Sequence, residues 1–178
     1  MTERAVNEAK TRADQAGALI SESETVVKKS IVVNVPIAHA FDVFTRKFDL
    51  WWPRSHHIGK AEMKEAVMEQ REGGRYFERG VDGSECDWGR VLAWDPPRHV
   101  ALSWHLDGTW SYDPDLARAS RVDVRFTDEG GGRTRVELEH SQLDRHIGWQ
   151  KVKEGVAGPD GWSGLLETFA AKALAIAS

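Results

Sequence analysis

The last stretch of the chain dictates the layout of everything before it. Gly161 to Ala177 reads GWSGLLETFAAKALAIA, and Trp162, Leu165, Leu166, Phe169, Ala173 and Ile176 recur at helical spacing. They make one broad apolar stripe, with Glu167 and Lys172 off it and Pro159 and Gly161 punctuating its start. A stripe of that width has to be covered. The rest of the chain supplies mostly strands, so the cover is a curved sheet and the class is α+β. A helix lying across a concave sheet either closes a solid core or leaves part of the concavity empty.

The strands announce themselves by alternation. From Thr25 to Val35, Val27, Ile31, Val33 and Val35 share one face, and Lys28, Ser30 and Asn34 share the other. Pro36 stops that strand and opens a helix over 37–45, with Phe41 and Phe44 on its inner side. Residues 61–69 and 75–79 read as strands around the Gly73-Gly74 turn, the first of them charged enough for a sheet edge. Asp82-Gly83 turns into a strand over 85–94 in which Cys86, Trp88, Arg90, Leu92 and Trp94 share parity, with Gly89 placed for a bulge or a close backbone approach. After Pro96-Pro97, Val100, Leu102, Trp104 and Leu106 share a face. The clearest hairpin comes next: Val122, Val124 and Phe126 point inward, residues 128–132 turn, and Thr134, Val136, Leu138 and His140 point inward again. Between these elements, Phe48 to His57 (FDLWWPRSHH) reads as an aromatic turn or short helical lid that plugs one end of the core or lines a pocket. Residues 107–119 and 143–158 are connections, the second with room for a short helix and a hinge at Gly155, Gly158 and Pro159.

Composition narrows the function classes. At 178 residues the chain suits one domain able to bury roughly two thirds of its unfolded surface. A formal net charge of −4 gives no electrostatic reason to expect nucleic acid or an anionic membrane as partner. Cys86 is the only cysteine, so no internal disulfide and no multi-cysteine metal site can form, and a reducing cytoplasmic setting is the simplest expectation. No apolar run reaches membrane-spanning length. The eight tryptophans are many for this length, and indole often lines cavities and interfaces.

These residues also resemble a family. VPIAHAFDVFT at Val35 to Thr45, the Trp51-Trp52-Pro53 turn, GGRYFERGVDGSECDWGRVLAWDPPRHVALSW at Gly73 to Trp104, Glu139-His140-Ser141 and Gly161-Trp162 are similar to the START-like superfamily, in its bacterial activator of Hsp90 ATPase homologue 1-like branch. The resemblance runs from about residue 25 to 174. It implies a helix-grip fold, in which the sheet curls around the last helix, and a cavity between them. Residues 1–24 then form a flexible extension ahead of a START-like domain over 25–178. That extension does not substitute for the large separate N-terminal domain of the eukaryotic co-chaperones, which weakens a chaperone-activating role. The superfamily includes lipid carriers, aromatic-compound binders and cyclases, so the activity rests on the site.

The site residues argued from the sequence are Trp52, Trp88, Trp104, His140, Trp162 and Phe169. They would grip a small hydrophobic or aromatic ligand, stacking on its rings while indole N–H groups and His140 supply sparse polar recognition. His140 has two readings, a satisfied core histidine or a polar group at the pocket end. Arg79 and Arg90 are either solvated and ion-paired or inward and facing an anion. No catalytic constellation is evident: Ser141 beside His140 lacks a nucleophile elbow, Cys86 lies between two acids, and no phosphate-cradling loop or metal-ligand run is present. No cofactor and no metal are expected. Carrier or sensor binding leads; an enzyme on a similar ligand and a chaperone-associated interaction domain are the alternatives. A homodimer is compatible with each, since open sheet edges need protection.

Overall fold

The computed structural model describes residues 20–176. Of the extension expected over residues 1–24, only residues 20–24 fall in that range, and they run into a 3-10 turn, Glu22–Thr25.

The described residues form seven strands: β1 (Val27–Val33), β2 (Met63–Met68), β3 (Arg75–Gly80), β4 (Glu85–Asp95), β5 (His99–Trp104), β6 (Ser120–Gly130) and β7 (Arg133–Ser141). They make one antiparallel sheet in the order β1-β7-β6-β5-β4-β3-β2. Four α-helices among the described residues accompany it: α1 (Ile37–Phe44), α2 (Phe48–Trp51), α3 (Trp149–Ala157) and α4 (Gly164–Ala175). The sheet curls as a half-barrel around α4, which is the helix-grip arrangement. Among the described residues no helix is long and apolar enough to cross a membrane.

The expected stripe on the last helix meets the core. Leu165, Leu166, Phe169 and Ala173 are buried, and Phe169 stacks edge-on against Phe44 of α1 at 5.3 Å and Trp51 of α2 at 5.6 Å. Aromatic pairs at that spacing add to the area they bury. His39 of α1 fastens the far end, its Nε2–H donating to the Ala173 carbonyl at 2.9 Å. The β6–β7 hairpin is buried on the face its alternation predicts, with Val122, Val124, Val136 and His140 all fully enclosed.

Strand β4 departs from its expected parity. Trp88 and Val91 are the buried pair, while Leu92 and Trp94 are only half-buried. Two register shifts cause this, one where β4 meets β3 opposite Tyr76 and Phe77, the other between Val91 and Ala93 against β5. Each inserts a residue and flips the face of the residues beyond it. Gly89 sits at the first shift because Tyr76 lies across the strand there, donating its hydroxyl to the Ser103 carbonyl at 2.6 Å; a methyl group on Gly89 would stand 1.9 Å from that carbonyl oxygen.

The outer face of β3 and β4 is charged and paired. Arg75 lies 4.0 Å over the Phe77 ring and bridges to Asp87 at 2.9 Å, Arg79 bridges to Glu65 and Glu85, and Arg90 pairs with Asp87 at 2.9 Å. Arg79 and Arg90 are therefore the ion-paired kind of arginine. At the β2 edge, Asp49 accepts from the Ala66 amide at 2.8 Å, so α2 covers part of the strand's open backbone.

Candidate functional site

The sheet and α4 do not close completely. Between them lies a partly open cavity of about 570 Å³, within the size range of small-molecule sites. Its wall brings together residues far apart in the chain: Trp52 after α2, Trp88 on β4, Trp104 ending β5, Trp110 on the loop after β5, and Trp162 before α4. His56, from the 3-10 turn Arg54–His56, joins them.

A kink places Trp162. The chain between α3 and α4 is wound as a wide turn over Pro159–Ser163, and Gly161 breaks it with φ −90° and ψ −146°. A methyl group there would stand 2.2 Å from the Val156 carbonyl oxygen, so only glycine allows this approach. The turn swings the Trp162 ring to 5.6 Å from Trp104 and 6.3 Å from Trp52.

Of the six residues argued from the sequence, Trp52, Trp88, Trp104 and Trp162 line the cavity. His140 stands behind the wall and Phe169 is enclosed in the core. The expected helical pairing of Trp162 with Phe169 is interrupted by the kink, because α4 begins only at Gly164.

His140 belongs to a directed chain of hydrogen bonds. Indole can only donate, so Trp162 Nε1–H gives to His140 Nδ1 at 3.0 Å. The proton of His140 then sits on Nε2 and is donated to Ser120 Oγ at 2.7 Å. The Ser120 hydroxyl in turn donates to His146 Nε2 at 2.6 Å. The terminal Nδ1 of His146 is buried without a protein partner among the described residues. Burial, reinforced by His146 close by, pushes His140 down to about 3; burial and then neighbouring His105 take His146 to about 4. Both rings are neutral at physiological pH.

Polar contacts tie the lining residues to one another and to the sheet. His56 Nε2–H donates to the Asp160 carbonyl at 2.9 Å, joining the 3-10 turn to the kink. This leaves its Nδ1 as an acceptor, 3.3 Å from Ser55 Oγ. Glu78, inward on β3 and 1% exposed, accepts from the Trp88 indole at 3.1 Å and from the Ile58 amide. Cys86, paired with Glu78 across the sheet, has its thiol pushed up by burial and then by the nearby carboxylates.

The turn over 48–57, read from the sequence as plugging the core or lining a pocket, does contribute His56 to the wall, but neither His56 nor Trp110 is singled out by the sequence as a site residue. Trp110 has no periodic context, and its backbone takes φ +59° in the loop.

The family model described as activator of Hsp90 ATPase homolog 1-like protein matches residues 34–171. No curated protein sequence matches the chain. Among solved structures, the chain is similar to the anthrahydroquino-γ-pyrone synthase Txn09, complexed with SUM. Identity is 43%, with 82% of this chain and 95% of that one covered and a TM-score of 0.60. It is also similar to the self-sacrificing resistance protein CalC from Micromonospora echinospora, at 30% identity, 83% and 93% coverage and a TM-score of 0.60. A protein from Nitrosomonas europaea, NE0264, shares the fold at 15% identity, 87% and 97% coverage and a TM-score of 0.61.

Proposed function

The chain belongs to the activator of Hsp90 ATPase homolog 1-like family, and from that premise we propose that it is an enzyme closing an oxygen heterocycle on a fused aromatic substrate in the tryptophan-lined pocket. The observation that carries this reading is the 43% identity to an anthrahydroquino-γ-pyrone synthase across 95% of that chain. The pocket's chemistry agrees with it. Indole rings on several sides offer stacking surfaces to a flat ring system, and the cavity of about 570 Å³ has the size such a ligand needs.

The reaction type follows from the needs of a pyrone ring. A phenol oxygen on the substrate attacks the β carbon of a neighbouring alkynyl ketone, forming the new O–C bond. The displaced π pair moves onto the ketone oxygen, and the phenol proton leaves. Return of a proton to the α carbon completes an isomerisation with no atom gained or lost. His56 is the group placed to carry that proton. Its Nε2–H is held by the Asp160 carbonyl, so Nδ1 carries the lone pair, and a substrate hydroxyl can replace the 3.3 Å contact from Ser55.

The similarity to CalC, a self-sacrificing resistance protein, supports a second reading, in which the chain removes a compound one for one instead of turning it over. A single experiment separates the two. The probe is a hydroxyanthraquinone bearing an alkynyl ketone beside the hydroxyl, followed by liquid chromatography and mass spectrometry. The enzyme reading expects many turnovers to a pyrone-fused isomer of unchanged mass, slowed about 100-fold by His56→Gln. A stoichiometric complex that keeps the probe unconverted sinks the enzyme reading and leaves sequestration.

A further inference from the structure

The cavity wall divides by what its side chains still have to offer a ligand. Trp52, Trp88, Trp104 and Trp162 are buried, and none has an indole N–H to give. Trp88 donates to Glu78 at 3.1 Å and Trp162 to His140 at 3.0 Å. The N–H groups of Trp52 and Trp104 are sealed from solvent, without a protein acceptor among the described residues. Leu106, Val156 and Leu165 are buried too and add only hydrocarbon. The side chains with free polar atoms are the less buried ones: Ser55, His57 and Asp160 are exposed, His56 is half-buried and Trp110 is 44% exposed. His56 Nδ1 is an acceptor held only by the 3.3 Å contact with Ser55 Oγ. Asp160 gives His56 its backbone carbonyl, which leaves its carboxylate uncommitted among the described residues. A ligand hydroxyl pushed against the buried part loses its water and meets no side chain to replace it. The same hydroxyl on the exposed part keeps water or bonds to these groups.

We infer that the pocket takes its ligand in one orientation, bare ring first, and selects fused aromatics hydroxylated at one end over isomers hydroxylated at both. The inference rests on the reading of the pocket as a fused-aromatic site and adds to it the substitution pattern recognised there. The buried part is one continuous aromatic surface. Trp52 stands 4.9 Å from Trp88, and Trp162 links Trp52 and Trp104 at 6.3 Å and 5.6 Å. His56 stands where the two parts of the wall meet, its ring 5.9 Å from that of Trp52. The orientation therefore also sets where the ring closure occurs. The phenol and the ketone that react stand together on the substituted end of the substrate, which this orientation leaves on the side of His56 and away from the sealed indoles.

The test is titration of the full chain, followed by tryptophan fluorescence, with 2,3-dihydroxyanthraquinone and 2,6-dihydroxyanthraquinone. The two isomers share one flat frame and its ring carbonyls. The first has a bare terminal ring, and the second has a hydroxyl on each terminal ring. Burial of the common frame contributes equally to both, so the difference reads the hydroxyl forced against the buried wall. The expected result is at least fivefold tighter binding of the 2,3 isomer, a difference of about 1 kcal/mol. Orientation is read separately, by nuclear Overhauser effects between the bound 2,3 isomer and protein with labelled methyl groups. The bare-ring protons are expected to meet the methyls of Val156 and Leu165, and the protons of the hydroxylated ring to lack those contacts. A smaller preference, or a preference for the 2,6 isomer, overturns the inference while the pocket reading stands, and needs no variant to fold. Contacts from the hydroxylated ring to Val156 and Leu165 overturn it as well. If neither isomer binds, the fused-aromatic pocket falls and this inference falls with it.

Discussion

Replacing Ser120 with alanine tests the directed hydrogen-bond chain behind the pocket wall. The Ser120 hydroxyl accepts from His140 Nε2–H at 2.7 Å and donates to His146 Nε2 at 2.6 Å, and it is 1% exposed. Alanine removes both contacts while barely changing volume. One buried donor and one buried acceptor are left without partners, at about 1–3 kcal/mol each. Partial relaxation of two ring side chains keeps the sum near the lower end, so the expected loss is about 3 kcal/mol. For a chain of this length each kcal/mol lowers Tm by roughly 2–4 °C, which gives a fall of about 6–12 °C. Differential scanning calorimetry of the two proteins at pH 7.5 reads it directly. Cysteine at the same position, a weaker donor and acceptor of similar size, should fall between them. A Ser120→Ala protein melting within about 1 °C of wild type would refute the reasoning, because the buried relay would then contribute nothing net.

Two further outcomes rest on the same geometry. Stability should fall between pH 6.5 and pH 5, above the range where carboxylates titrate. His140 titrates at about 3 in the fold, so the unfolded chain binds its proton first as pH drops. That difference gives a slope of up to about 1.4 kcal/mol per pH unit, roughly 2 kcal/mol over the window. His146, at about 4, and His105, also lowered by burial, act in the same direction. Urea titrations across the window check this, and a flat profile contradicts a neutral buried pair. Gly161→Ala should cost about 1–3 kcal/mol and abolish probe binding, because its methyl group meets the Val156 carbonyl at 2.2 Å and must push the Trp162 turn out of place. Retained binding with unchanged Tm would show that the kink tolerates a side chain.

The layout of the fold was readable in the sequence wherever periodicity was strict. The stripe from Leu165 to Ala173 and the alternation of Val122, Val124, Val136 and Leu138 each had one consistent face, and the structure buries those faces. Strand β4 was misread because parity arguments assume an unbroken register, and two bulges break it around Trp88 and Leu92. The site was legible in part for a similar reason. Tryptophans on the strands and before the last helix could be aimed by their elements, which gave Trp88, Trp104 and Trp162 along with Trp52 in its turn. His140 was correctly placed on the inner face, but its partners Ser120 and His146 come from other elements, and nothing local in the sequence pairs them. His56 sits in a short turn with no period, so its bond to Asp160, far along the chain, has no signature. From the sequence Glu78 turns inward only if a bulge changes its face; the structure buries it alongside Tyr76.

The one-way sense of the Trp162–His140–Ser120–His146 chain also limits how this protein can drift over generations. Each member fixes the proton of the next, starting from an indole that cannot accept. Changing Trp162 to a residue without an N–H strands a lone pair on His140, and changing His140 alone strands both the indole and the serine. No single step through these four positions is neutral, although only the first touches the pocket. New ligand preferences should therefore arise more readily at Trp110, which lies outside this chain and is 44% exposed, while the wall at Trp162 turns over only as a set with residues hidden behind it.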